Sequence, residues 1–281
     1  MRFILPSFAK LNLSLRVTGL RDDGYHDLMS IFVRIPAGEV LRVARRSGAA
    51  SQDLIKAEGM LLEGENSVGK ALRLAREAGL SVPFLEIEIL KSLLPGSGLG
   101  AGSGNGAALL RWLDAEAPDP RWGCVARRLG ADVPYIFSGL PAALASGIGD
   151  CLEPLLPLSL GGWVIFPDWS VETKDAYAEL DAFYPRGYPL DGAEARAEAL
   201  RLYAALQKGG RVGLLPNDFA PPLLDRYHGY RELFGLFEQS GALAWGITGS
   251  GGAAFCLSSR SAPVPAWPVW VRQVLHVPAL S

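Results

Sequence analysis

Apolar and polar residues alternate strictly in two stretches of the chain. In 11–17, Leu11, Leu13, Leu15 and Val17 share one face, and Asn12, Ser14 and Arg16 share the other. In 84–90, Leu85, Ile87 and Ile89 oppose Glu86 and Glu88. A period of two predicts half-buried strands, in a sheet with one wet face and commonly antiparallel. Helical spacing is interleaved with these strands. Residues 66–79 place Val68, Leu72 and Ala75 on one stripe that stops at Gly79, and 105–115 and 124–130 also read as helices. Prolines and glycines crowd 151–162, just before a short buried strand at 163–166, and mark a domain junction. Beyond it the pattern predicts helices over 192–207 and 221–239, and strands at 242–247, 253–257 and 269–277. This mixture favours an α+β class over a doubly wound parallel sheet.

A length of 281 residues, 49 % of them hydrophobic, suits one large domain or two moderate ones, here expected as 1–153 and 154–281. The net charge of −2 and the absence of a basic tract argue against a nucleic-acid or membrane-surface partner. No apolar run approaches the ~18 residues of a membrane span, and the first residues carry no leader pattern. Nothing in the pattern calls for an obligate protein partner. Cys124, Cys151 and Cys256 are few and scattered, as expected of reduced, buried thiols in a cytoplasmic protein.

The strongest chemical signal is KSLLPGSGLGAGSGNGAALLRWL, residues 91–113. A strand ends near Lys91, small residues crowd around Leu99, and a helix follows. Backbone amides of such a loop, with the helix N-terminus behind them, cradle anionic oxygens, and ATP phosphates are the natural occupant. The loop lacks the Gly-Lys-Ser/Thr ending of a Walker A motif, and the surrounding pattern does not suit a dinucleotide fingerprint. A flexible strand-to-helix turn is the alternative. A second small-residue loop, GITGSGGAAFCL at 246–257, is a hairpin taken alone, or a partner that closes over phosphates with the first. Elsewhere, RDDGYHDL at 21–28 reads as a turn, Lys10 as a solvated lysine entering a strand, and Asp132 and Asn66 as helix N-caps.

Five segments in order, AKLNLSL, DDGYHDL, LPGSGLGAGSGNGAA, LGADVPYIFSG and TGSGGAAF, together resemble the GHMP kinase superfamily, from about residue 5 to 257. The resemblance implies a two-domain GHMP kinase fold, with a ribosomal-protein-like N-terminal domain and a ferredoxin-like C-terminal domain. The DGYH and LGADVP pieces resemble the branch whose substrate is a cytidine-diphosphate-linked methylerythritol. Other alcohols (homoserine, mevalonate or a sugar) and a non-enzymatic nucleotide- or RNA-binding module are the alternatives.

What the resemblance implies for single residues is specific. Lys10 and Asp132 would be catalytic, with Asp132 the base. Asn12, Tyr25, His26 and Thr173 would bind substrate, Tyr25 stacking on cytosine and His26 bonding its polar edge. Asn66 would contact adenine. Pro95, Gly96, Ser97, Gly98, Leu99, Gly100, Ala101, Gly102, Ser103, Gly104 and Asn105, with Gly249, Ser250 and Gly251, would hold ATP. Mg²⁺ would travel with ATP, and no metal ligand is assigned to the protein. Asn217 and Asp218 match a motif read as structural. Against the superfamily pattern, Phe8 stands where proline is usual, Leu94 and Pro95 shift the loop proline, and Ser103-Gly104 replaces a Ser-Ser pair. Gly252 replaces a hydroxyl residue, and Ala220 replaces a glutamate.

Overall fold

A computed structural model describes residues 2–48, 51–57, 60–61, 65–93, 98–258, 266–278 and 280. Leu94, Pro95, Gly96 and Ser97 of the first glycine loop lie outside them. The elements run β1 (Arg2–Leu20), β2 (His26–Arg45), β3 (Leu54–Ala57), β4 (Met60–Leu61), α1 (Ser67–Glu77), β5 (Leu85–Leu90), α2 (Ala101–Glu116), α3 (Arg121–Leu129), α4 (Val133–Ser138), β6 (Ala142–Ser146), β7 (Cys151–Leu155), β8 (Gly161–Pro167), α5 (Thr173–Phe183), α6 (Gly192–Gln207), β9 (Gly213–Leu214), α7 (Ala220–Arg226), α8 (Gly229–Gln239), β10 (Ala244–Ile247), β11 (Ala254–Ser258) and β12 (Val271–Val277). This is the α+β mixture expected from the periodicities. Two compact units are interleaved along the chain: Met1–Lys10, Pro36–Leu93 and Gly100–Gly139 form one, and Leu11–Ile35, Leu94–Leu99 and Leu140–Ser281 form the other.

In the first unit, β5 pairs antiparallel with Val40–Arg45 of β2 and parallel with β3, so its ladder is mixed, not antiparallel throughout. The alternation of β5 holds: Leu85, Ile87 and Ile89 are buried, while Glu86 and Glu88 meet Lys56 and Arg42. Helix α1 buries the stripe Val68, Ala71, Leu72, Leu74 and Ala75, and packs on α2 and α3. Helix α2 buries Leu109, Leu110 and Leu113 and packs on α4.

In the second unit, Ser30–Val33 of β2 pairs with β6, and β6 with β7. A separate sheet has the order β12-β8-β11-β10-β9, and helices α5, α7 and α8 share its core around Phe219, Tyr230, Leu233 and Phe237. Two expectations need correction here. The polar face of β1 is not wet: Asn12 is 1 % exposed and Ser14 is buried. Asn12 Nδ2 is satisfied by donating to Ser30 Oγ at 2.8 Å, and Ser30 Oγ donates to the Ser14 backbone carbonyl at 2.5 Å, whereas the buried Ser14 hydroxyl has no hydrogen-bond partner among the described residues. The helix expected over 221–239 is two helices broken at Tyr227–His228. Tyr227 leaves helical geometry to stack on Trp169, 5.2 Å away at 5°, and a Cβ on Gly229 would come 2.6 Å from the same indole.

Arg16 ties β1 to two later segments. Its guanidinium donates to Glu198 at 2.7 and 2.9 Å and to Asp218 at 2.6 Å, and Asp218 also accepts from the Val17 amide. Burial works against the charge on Arg16, but these two carboxylates outweigh it and hold the guanidinium firmly protonated.

The cysteines depart in part from expectation. Cys256 is buried, whereas Cys124 and Cys151 are exposed. Cys124 falls off the stripe of Trp122, Val125, Ala126 and Leu129 that α3 buries. Burial pushes the Cys256 thiol up to about 12, against a smaller opposing hydrogen bond from the Trp163 backbone. The thiolate is the reactive form, so Cys256 is inert near neutrality. Titration of the native protein with Ellman's reagent at pH 8 should release two equivalents quickly, the third appearing only in denaturant. Fast release of three would contradict the buried placement of Cys256.

Candidate active site

The first unit brings Lys10, Asp132 and the start of α2 together. Lys10 Nζ lies 3.7 Å from Asp132 Oδ1, with side-chain exposures of 7 % and 28 %. A nearly buried lysine is not the solvated charge that its position alone suggested. Asp132 does stand at the N-cap position of α4, but its side chain makes no capping hydrogen bond. The carboxylate is therefore turned to other work. Gly100 explains how it reaches the loop. Its φ of +68° is left-handed, and a Cβ there would sit 2.8 Å from Asp132 Oδ2. Only glycine meets both conditions at once.

Gly100 is also the N-cap of α2 and supplies no side chain to the first turn, so the leading amides of a 16-residue helix lack a capping group. Such an end attracts anions. The second residue of the Ser103-Gly104 pair has a steric cause. A Cβ on Gly104 would lie 2.0 Å from the Phe8 carbonyl oxygen and 2.9 Å from Ser7 Oγ. A serine there would collide with β1, and the glycine lets helix and strand backbones touch. Ser103 is half-buried in the first turn. Gly102 accepts from Ser67 Oγ at 2.5 Å. Asn105, expected at the phosphates, is buried, and its Nδ2 donates to the buried Glu39 carboxylate at 2.6 Å. Asn66 caps α1, its Oδ1 accepting from the amides of Val68 and Gly69.

The second unit assembles another group. A Cβ on Gly98 would come 2.5 Å from the Gly251 carbonyl and 3.0 Å from that of Thr248, so the two glycine loops meet backbone to backbone. Leu99 beside it is fully buried. Asn12 donates its amide to Thr248 Oγ1 at 2.9 Å. Ser250 Oγ lies 3.1 Å from Thr173 Oγ1 at the start of α5. Asn217 Nδ2 donates to the carbonyls of Ile247 and Gly249, both at 2.9 Å, and so pins the entry to the second loop, consistent with a structural part for that motif. Gly252 donates its amide to Tyr230 Oη at 3.3 Å. Tyr25 is 59 % exposed and follows a turn in which its amide donates to Asp23. His26 is sheltered: its ring stacks on Tyr177 at 4.5 Å, and Nε2 lies 2.8 Å from Asp181 Oδ1. Thr248, Ser30, Glu39 and Asp181 were not singled out from sequence. Only Asp181 had a signal, the four-residue spacing of Thr173, Tyr177 and Asp181 along one helix face.

The chain is similar to known proteins over most of its length. A 4-diphosphocytidyl-2-C-methyl-D-erythritol kinase of Nitratidesulfovibrio vulgaris is 32 % identical over 270 residues, spanning 91 % of this chain and 90 % of that protein. The chain belongs to the 4-diphosphocytidyl-2-C-methyl-D-erythritol kinase family. A kinase of that name from Solidesulfovibrio magneticus is 38 % identical over 188 residues, 64 % of this chain and 63 % of the relative. A crystal structure of 4-(cytidine 5′-diphospho)-2C-methyl-D-erythritol kinase superposes with a TM-score of 0.77 at 28 % identity, covering 99 % of both chains. Homoserine kinase from Cytophaga hutchinsonii shares the fold, with a TM-score of 0.61 at 19 % identity over 91 % of this chain and 85 % of that one. No protein-family model matches the chain.

The Gly104 contact can be tested against a neighbouring glycine of the same family member. Gly104→Ser should destabilise the protein by about 3 kcal/mol, the upper range for overpacking. Gly102→Ala, where a Cβ meets nothing within 4 Å, should be neutral or stabilising by up to ~1 kcal/mol. Urea denaturation of both variants reads the difference, and equal midpoints would contradict the close approach to Phe8.

Proposed function

We propose that this chain is an ATP-dependent kinase that phosphorylates the 2-hydroxyl of 4-diphosphocytidyl-2-C-methyl-D-erythritol in the non-mevalonate route to isoprenoid precursors. The observation that carries the proposal is the Lys10–Asp132 pair, 3.7 Å apart, beside the uncapped N-terminus of α2. Phosphoryl transfer passes through a loose transition state, so catalysis rests on positioning and charge. Asp132 accepts the proton of the attacking hydroxyl, and Lys10 offsets negative charge on the transferring group. The leading amides of α2 hold phosphate oxygens, and the backbone of Gly249, Ser250 and Gly251 is a further candidate for holding ATP. Asn66 retains its Nδ2 donor for adenine, because the helix cap uses only Oδ1.

Among the described residues no cluster of acidic, histidine or cysteine side chains has the form of a metal site. Mg²⁺ accompanying ATP would be held by phosphate oxygens and would reduce their charge. At the other end of the substrate, Tyr25 offers an open ring face to cytosine, and His26 meets the base's polar edge. Asn12 and Thr173 contact the methylerythritol portion. Among the described residues no helix is long and apolar enough to cross a membrane, and we assign the enzyme to the cytoplasm.

Kinases acting on homoserine or mevalonate share this fold, and the DGYH segment is what favours the cytidyl substrate over theirs. Incubation with ATP, Mg²⁺ and the cytidyl alcohol, followed by phosphorus NMR, should show a new phosphomonoester. Faster phosphorylation of mevalonate or homoserine would end this assignment. Asp132→Asn should lower kcat by about 10³-fold, with the Kd for ATP almost unchanged. An unaltered rate would remove Asp132 from the chemistry.

A further inference from the structure

His26 is held by more than one neighbour. Its ring stacks on Tyr177 with centroids 4.5 Å apart and planes at 28°. Tyr188 meets it edge-on at 6.0 Å and 69°. Its Nε2 lies 2.8 Å from Asp181 Oδ1, and the Tyr188 hydroxyl donates to that same oxygen at 2.6 Å. Burial, reinforced by Asp181, raises the Tyr188 pKa, so the phenol stays a donor. An ionised carboxylate only accepts. Nε2 must therefore carry a hydrogen, and in the neutral ring Nδ1 is left as a bare acceptor.

That assignment has a consequence for base recognition. Cytosine presents an exocyclic amino donor where uracil presents a carbonyl acceptor. A ring nitrogen fixed as an acceptor welcomes the first and repels the second. We infer that Asp181, braced by Tyr188, is a specificity-determining positioning residue: it fixes the His26 tautomer and thereby selects a cytidine over a uridine diphosphate. The inference rests on the cytidyl reading proposed above. It adds a residue that touches neither the base nor the reacting atoms.

Two measurements on the full-length protein decide it. The first is nitrogen-15 NMR of the side chains of its three histidines, His26 being assigned by a His26→Gln variant. Wild type should show His26 as the Nε2–H tautomer, and Asp181→Asn should show a mixture containing Nδ1–H. The second is calorimetric binding of cytidine 5′-diphosphate and uridine 5′-diphosphate. Wild type should prefer the cytidine nucleotide, and Asp181→Asn should erode that preference roughly tenfold or more, with Tyr188→Phe giving a smaller loss. The variant's kcat at saturating cytidyl substrate should stay within about threefold, as a KM-type effect requires. An Nδ1–H tautomer in wild type, or an unchanged nucleotide preference in a variant with native circular dichroism, would overturn the inference. A wild type that prefers the cytidine nucleotide yet phosphorylates no cytidyl alcohol would refute the proposed reaction and leave this inference standing.

Discussion

The first unit depends on one backbone-to-backbone approach, that of α2 to β1 at Gly104 and Phe8. A single methyl group on Gly104 would sit 2.0 Å from the Phe8 carbonyl oxygen, so helix and strand can close only where the side chain is absent. The same thinning recurs along α2. Gly100 yields to Asp132, and a Cβ on Gly106 would come 2.7 Å from Leu129. The three glycines within the helix itself, Gly102, Gly104 and Gly106, cost about 1 kcal/mol each relative to alanine. Burial of Leu109, Leu110 and Leu113 at 1.5–3 kcal/mol apiece, as a rough estimate, outweighs that cost. The helix is thus held from its later turns, while its first turn is kept bare and close to Lys10 and Asp132.

In the second unit the corresponding constraint is polar. Asn12, Thr248, Asn217 and Asp218 are all buried, and a buried polar group is costly unless it is paired. Each has a partner: Thr248 accepts from the Asn12 amide, Asn217 holds two carbonyls at the mouth of the second loop, and Asp218 meets Arg16 and the Val17 amide. Removing one member strands the other, so the network specifies the loop's position more than it adds stability. Strand β1 belongs to both units, and Lys10 and Asn12 fall on either side of the division.

Regular patterns were legible in the sequence. The alternation of β5, the stripe of α1 and the long helix α6 are each dominated by one burial period. Strands β2 and β6 were not isolated. Buried β2 runs Leu28, Met29, Ser30, Ile31, Phe32 and Val33 without alternation, and Ala142, Ala143, Leu144 and Ala145 of β6 are likewise all buried. A strand covered on both faces loses its period of two. The α7–α8 break was invisible for a different reason. It is made by Trp169 and Trp270, distant in sequence, packing where Gly229 leaves room. The first glycine loop pointed to phosphate by itself, whereas Lys10, Asp132 and His26 became candidates only through the set of motifs, since each alone had an ordinary structural reading.

The sequence by itself determined the class of fold, the two glycine loops and the ordered motifs that mark the family, because these depend on local conformational freedom and on spacing along the chain. Tertiary structure alone decided what each side chain is free to do. It turned Asp132 away from capping and toward Lys10, sank Asn105 onto Glu39, and set Asp181 against His26. Those outcomes depend on which atoms lie within about 3–4 Å across long sequence separations. Hydrogen-bond and ionic partners act over that range and leave no periodic trace in the chain.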